Sequence, residues 1–135
     1  MIRRKRVVVY VEREDGLLVF DHRDHPEAGT QVPAGGVYEG EDMTDAAMRE
    51  VREETGVRLE AKPQFLGTHE HLDGLGRPAR SHFFLARAPN GLPASWQHIV
   101  SGDGDDAGLV FECRFEAAPA LWPAQSVFWP TEDRS

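Results

Sequence analysis

Residues 35–57 read GGVYEGEDMTDAAMREVREETGV, and no other stretch limits the chain as tightly. A glycine-rich loop runs there into strong helix formers that carry Glu50, Glu53 and Glu54. With Glu50 at zero on a helical wheel, Glu53 lies at about −60° and Glu54 at about +40°, so the three carboxylates share a face. Ala47, Val51 and Met48 fall at about +60°, +100° and +160°, which predicts the side that packs on a sheet. Any fold that holds this helix must therefore place three negative charges beside its core.

The helix has a start and a stop. Asp42 is the expected N-cap, with Asp45 three positions on as a weak capping-box partner and Thr44 as the competing cap. Gly56 stands where a left-handed residue ends a helix. Ala46, at about −40° on the same wheel, leaves room for a phosphate group beside the acids, although helix propensity alone explains an alanine there.

Charge adds a chemical constraint. The chain carries a net −8, and between Glu39 and Glu54 seven acids face two arginines. Like-charged neighbours on an exposed helix cost about 0.2–0.5 kcal/mol per pair, a repulsion that a divalent cation removes. Carboxylate and carbonyl oxygens suit Mg²⁺ or Mn²⁺, and no thiolate-rich or histidine-rich zinc set lies nearby. Arg49, four residues before Glu53, is placed to hold it by a bidentate contact. A solvated acidic helix is the plain alternative for these acids taken without the glycine loop.

The remainder reads as strands and turns. Arg6–Glu12 and Leu17–Asp21 form a hairpin about Glu14-Asp15-Gly16, and Gln31-Val32-Pro33 is a short extended run. Strands are expected near Phe65–Thr68 and Ser81–Ala86, joined as hairpin partners by the turn-rich segment 72–80, and again over Leu109–Phe115. The stretch from residue 116 onward suggests one short helix broken by Pro119 and Pro123. At 135 residues the chain is expected to be a single domain, with residues 1–5 and 130–135 peripheral. The basic cluster at residues 3–6 is too short to argue for a nucleic-acid surface. No apolar run reaches the roughly 18 residues of a membrane span, and the N-terminal apolar stretch has no cleavage site. Cys113 stands alone, which excludes an internal disulfide and fits the cytoplasm; in a strand it reads as core packing.

The spacing Gly35, Glu41, Arg49-Glu50-Val51, Glu53-Glu54, Gly56-Val57 matches every specified position of the Nudix box, and on these residues the chain resembles the Nudix hydrolase family (MutT-like). The resemblance implies an α+β fold with a mixed β-sheet between α-helices. It also implies a pyrophosphohydrolase acting on a nucleoside diphosphate linked to another moiety, with Mg²⁺ or Mn²⁺ as cofactor. By that likeness Glu53 and Glu54 are the principal metal ligands, the carbonyl of Ala34 or Gly35 is a further ligand, and Glu50 is a ligand or the water-activating base. Glu41 and Arg49 would stabilise the loop and orient the glutamates, so the catalytic set is Glu50, Glu53 and Arg49.

Candidates for an additional acid are Glu70, Asp73, Asp103, Asp105, Asp106 and Glu112. Tyr38, Phe83, Trp96 and Trp122 are candidates for stacking on a base, with core or rim packing as the ordinary reading. His22, Arg23 and His25 are candidates for contact with a phosphate or sugar. Leu72 stands where ADP-ribose-cleaving relatives often have proline, and Asp73-Gly74-Leu75 where dinucleoside-polyphosphate hydrolases often have tyrosine. The substrate expectation is therefore a small nucleoside diphosphate derivative, with nucleic acid disfavoured, capped RNA retained, and a homodimer among the possible states. The competing reading is a Nudix-like domain that senses a nucleotide without useful turnover; intact Glu50, Glu53 and Glu54 argue against it.

Overall fold

The structure is a computed structural model that describes residues 4–117. Seven strands form one sheet: β1 (Arg4–Arg13), β2 (Gly16–His22), β3 (Ala34–Gly36), β4 (Gln64–Leu72), β5 (Pro78–Arg87), β6 (Ser95–Ile99) and β7 (Val110–Glu116). Their order is β4-β5-β1-β2-β7-β6, with β3 paired to β1. β1 runs parallel to β5 and the other pairings are antiparallel, so the sheet is mixed, as expected.

β1 is central because its sequence is apolar on both sides. Val7 to Val11 are all buried; Val7, Val9 and Val11 face one cluster while Val8 and Tyr10 face another. A strand covered on both faces reads as a continuous apolar run rather than an alternating one. The first cluster takes in Ala46, Ala47 and Val51 of the helix α1 (Met43–Thr55), which docks this helix on β1. The segment expected to hold a proline-broken helix lies outside the described residues, as do Trp122 and all but the first two residues of that stretch.

The helix boundaries follow local chemistry. Asp42 Oδ1 accepts from the amides of Thr44 at 2.8 Å and Asp45 at 3.2 Å, so Asp42 rather than Thr44 is the cap. Gly56 ends the helix at φ 79°, and a side chain there would also press on His98. Ala46 corrects one expectation: it is fully buried in the core, so its small size serves helix–sheet packing and opens no space for a phosphate.

Two strands differ from the sequence reading. The short run expected at 31–33 is displaced to Ala34–Gly36, where glycine backbone pairs with β1 and side chains give no signal; Gln31 keeps one isolated bridge to Phe20. β6 was not foreseen. Its residues alternate only weakly in polarity, Ile99 faces solvent, and the strand exists through its pairing with β7.

Phe20 and Phe111 stack at 4.2 Å between β2 and β7, both fully buried. Phe111→Ala is expected to lower stability by about 3–5 kcal/mol in denaturant titration. A loss below about 1 kcal/mol would show that the sheet closes over the gap without that stack.

Candidate active site

The carboxylates of α1 sit at one end of the sheet, against the glycine loop that leads into the helix. Glu50 and Glu54 are 8% and 7% exposed, which is unusual for acids and makes their partners decisive. Arg49 supplies the partner of Glu50. Its Nε and Nη2 donate to the two oxygens of Glu41 at 2.8 and 2.9 Å. Its Nη1 donates to Glu50 Oε1 at 2.7 Å and Glu53 Oε1 at 3.0 Å, and Nη2 also reaches the Gly36 carbonyl at 2.8 Å. The bidentate partner of Arg49 is thus Glu41, and Glu53 receives a single bond, contrary to the expected fork on Glu53. A guanidinium clamped to Glu41 in the loop can bridge two glutamates on the helix, which a fork on Glu53 would prevent.

Glu54 is held separately. Its Oε1 accepts the Ala34 amide at 2.8 Å, so the group that Ala34 presents to it is the N–H. Glu50 packs directly on Gly35, and any β-carbon there would collide with its carboxylate. This close approach is a physical reason for glycine at that position.

A second segment closes the far side. Ser101 N donates to the Glu53 carbonyl at 3.0 Å, and His98 Nε2 lies 3.0 Å from the same oxygen. Gly102, at φ 92°, sits so near the Glu53 carboxylate that a β-carbon would lie 2.6 Å from its Cδ. Asp103, Asp105 and Asp106 line, together with Glu50, Glu53 and Glu54, a cleft of about 1250 Å³.

The other candidates lie elsewhere. Glu112 is exposed beside Gln97, Glu70 pairs with Arg80 at 2.7 Å, and Asp73 organises the β4–β5 turn through the amides of Leu75 and Arg77. Phe83 is buried, and the Trp96 indole donates to the Thr55 carbonyl at 2.8 Å, so both are structural. Cys113 is buried, and burial pushes its thiol up to about 12. Arg23 pairs with its neighbour Asp24, and Arg23, His22 and His25 do not line the cleft. Tyr38 does, with 48% of its surface exposed. Its contacts across the cleft had no signature in the sequence, because both partners lie on irregular loops far apart in the chain.

Burial dominates the electrostatics. Desolvation raises the Glu50 carboxyl to about 7 despite Arg49, and Glu54 is pushed well above the ordinary carboxylate value by burial and then by Glu50. Among the described residues no three acids, imidazoles or thiols converge closely enough to hold an ion as they stand. Yet Glu50, Glu53 and Glu54 each engage Oε1, and among the described residues none of their Oε2 atoms has a hydrogen-bond partner. This all-oxygen set, crowded and short of positive charge, fits Mg²⁺ or Mn²⁺.

Both buried carboxyls have folded values above the ordinary 4.5, so without metal the folded state binds protons more tightly than the unfolded chain. Their stability contribution is complete below the unfolded value and is lost, for Glu50, as pH rises to about 7. In EDTA, the denaturation midpoint is expected to fall between pH 5 and pH 8, and Glu50→Gln to flatten that fall. Equal slopes for the two proteins would show that Glu50 is not desolvated.

The NUDIX domain family profile matches residues 2–128. An RNA pyrophosphohydrolase of Sphingopyxis alaskensis is 32% identical over 59% of this chain and 59% of its own length. Nudix hydrolase 25 of Arabidopsis thaliana is 43% identical over 40% of this chain and 31% of its own. The alignments thus span less than two thirds of either relative. The crystal structure of a MutT NUDIX hydrolase from Burkholderia pseudomallei superposes with a TM-score of 0.70, covering 98% of this chain and 99% of that one at 22% identity, which establishes likeness of fold. With the family profile covering nearly the whole chain and the mixed sheet and glutamate helix in place, this protein belongs to the NUDIX domain family.

Proposed function

We propose that this chain is a divalent-cation-dependent pyrophosphohydrolase. It cleaves a phosphoanhydride bond in a nucleoside diphosphate linked to another moiety, by attack of water at phosphorus. The observation that carries this reading is the set of Glu50, Glu53 and Glu54 on one face of α1, organised by Arg49 at the wall of an open cleft.

Such cleavage needs water in line with the scissile bond, neutral surroundings for the phosphoryl oxygens, and a stabilised phosphate leaving group. Bound Mg²⁺ or Mn²⁺ would supply that neutralisation and a more acidic attacking water. Glu53 and Glu54 are the proposed principal ligands, joined by Glu50 and by the carbonyl of Ala34 or Gly35. Arg49 keeps Glu50 and Glu53 at a set separation, and Glu41 anchors Arg49. Glu50 is a ligand or takes the proton of the attacking water directly. Asp103, Asp105 and Asp106, which line the same cleft, are the candidates for a further acid. No covalent nucleophile is required, and the buried Cys113 takes no part.

The name of one relative, RNA pyrophosphohydrolase, puts RNA among the substrates to test. A panel of nucleoside triphosphates, nucleotide sugars, ADP-ribose, dinucleoside polyphosphates and 5′-triphosphorylated or capped RNA, with saturating Mg²⁺, is expected to give phosphate-containing products from at least one member. Retained nucleotide binding with no turnover anywhere would favour a sensing domain instead. Glu53→Gln is expected to weaken metal binding and cut turnover with the fold intact; full activity at unchanged metal dependence would remove Glu53 as a ligand. Arg49→Lys cannot serve Glu41, Glu50, Glu53 and Gly36 together, and should lower metal affinity or activity on the order of 10–100-fold. Wild-type behaviour in that variant would show that the glutamates orient themselves.

A further inference from the structure

The loop between β6 and β7 is held at its base and within itself. Gly108 N donates to the Val100 carbonyl and Val100 N to the Leu109 carbonyl, each at 2.9 Å. Ala107 N reaches the Gly104 carbonyl at 3.1 Å, and Leu109 N the Asp106 carbonyl at 3.0 Å. None of these bonds fixes the loop relative to the glycine loop across the cleft. One bond does: the Tyr38 hydroxyl donates to Asp103 Oδ1 at 2.6 Å. Among the described residues no other hydrogen bond joins residues 101–108 to residues 34–42.

The acids on the loop make this tie consequential. Asp103, Asp105 and Asp106 line the same cleft as Glu50, Glu53 and Glu54, and Asp106 is near enough to raise the Glu54 carboxyl further, so negative charge on the loop opposes negative charge on α1. The loop carries three glycines, at positions 102, 104 and 108; Ser101 N holds its start to the Glu53 carbonyl at 3.0 Å, and among the described residues the Tyr38 hydroxyl makes the one hydrogen bond from outside the loop to residues 103–107. The Tyr38 ring lies over the Arg49 guanidinium at 4.1 Å. The phenol thus links Arg49 of α1 to the Asp103 loop. The bond to Asp103 raises the pKa of the phenol above its ordinary value, so the donor hydrogen is retained through the neutral range.

We propose that Tyr38 is a positioning residue whose phenol ties the two walls of the cleft together and sets how far the Asp103–Asp106 segment stands from the carboxylates of α1. The consequence for ligand binding rests on the hydrolase reading: the tie sets the width available to a diphosphate group and its cations. Loss of the tie widens the cleft and weakens binding more than it slows the chemical step.

Tyr38→Phe keeps the ring on Arg49 and removes the donor, Asp103→Ala removes the acceptor, and Asp103→Asn keeps an acceptor oxygen. In metal-free protein, amide hydrogen exchange over residues 102–107 should accelerate on the order of tenfold in Tyr38→Phe and in Asp103→Ala, as expected for loss of a charge-assisted bond. The double variant should show no further acceleration, and Asp103→Asn should stay near wild type. With Mg²⁺ and the non-hydrolysable α,β-methylene-ADP, Tyr38→Phe should bind several-fold more weakly, and for any substrate turned over KM should rise while kcat changes less. Unchanged exchange in Tyr38→Phe, or additive effects in the double variant, would overturn the tie. Faster exchange with unchanged affinity would overturn its positioning role. The exchange measurement decides the tie whether or not the chain hydrolyses anything, so failure of the hydrolase reading is seen separately in the substrate panel.

Discussion

The guanidinium of Arg49 is the interaction on which the site depends. Its five N–H donors are matched by five bonds, to both oxygens of Glu41, to Glu50, to Glu53 and to the Gly36 carbonyl. Without it, Glu50 and Glu53 would lose their shared donor beside the desolvated Glu54, and the glycine loop would keep the Ala34 bond to Glu54 but lose those from Glu41 and Gly36 to α1. A part-buried charge network of this kind contributes little net stability, because desolvation of the ions offsets their attraction. Its value is geometric: a planar donor set fixes the separation of its acceptors. Lysine, with a compact ammonium and no fork, has no equivalent arrangement.

Around that centre, backbone takes the place of side chain. Gly35 lets Glu50 lie on the chain on one side, and Gly102 lets Glu53 do so on the other. The Ala34 amide caps Glu54, and the Glu53 carbonyl, near the helix end, receives Ser101 and faces His98. The walls of the cleft are therefore held by backbone contacts where they touch the carboxylates, and are joined to each other by the Tyr38–Asp103 bond.

The helix and its acids were legible in the sequence because their signals are local. Asp42 and Gly56 mark its ends by short-range backbone chemistry, and the angular spacing of Glu50, Glu53 and Glu54 needs no tertiary information. β1 and β5 were visible as apolar runs. β3 and β6 were not: one is three residues with almost no side chain, and the other is an edge strand sustained by pairing alone. Ala46 misled because a wheel places it beside the acids, whereas the tilt of the helix onto β1 turns it into the core. Arg49 was expected to serve Glu53 because they are four residues apart; the better-matched carboxylate of Glu41 arrives from the loop.

The sequence by itself determined that a capped helix would present three carboxylates on one face after a glycine loop, since both follow from residue spacing and local hydrogen bonding. Only the tertiary structure decided which of those carboxylates are desolvated, how Arg49 divides its donors, and that Asp103 rather than Glu112 or Glu70 stands across the cleft. These outcomes depend on sheet pairing and on contacts between residues far apart in the chain. Burial and through-space charge have no counterpart in a linear pattern.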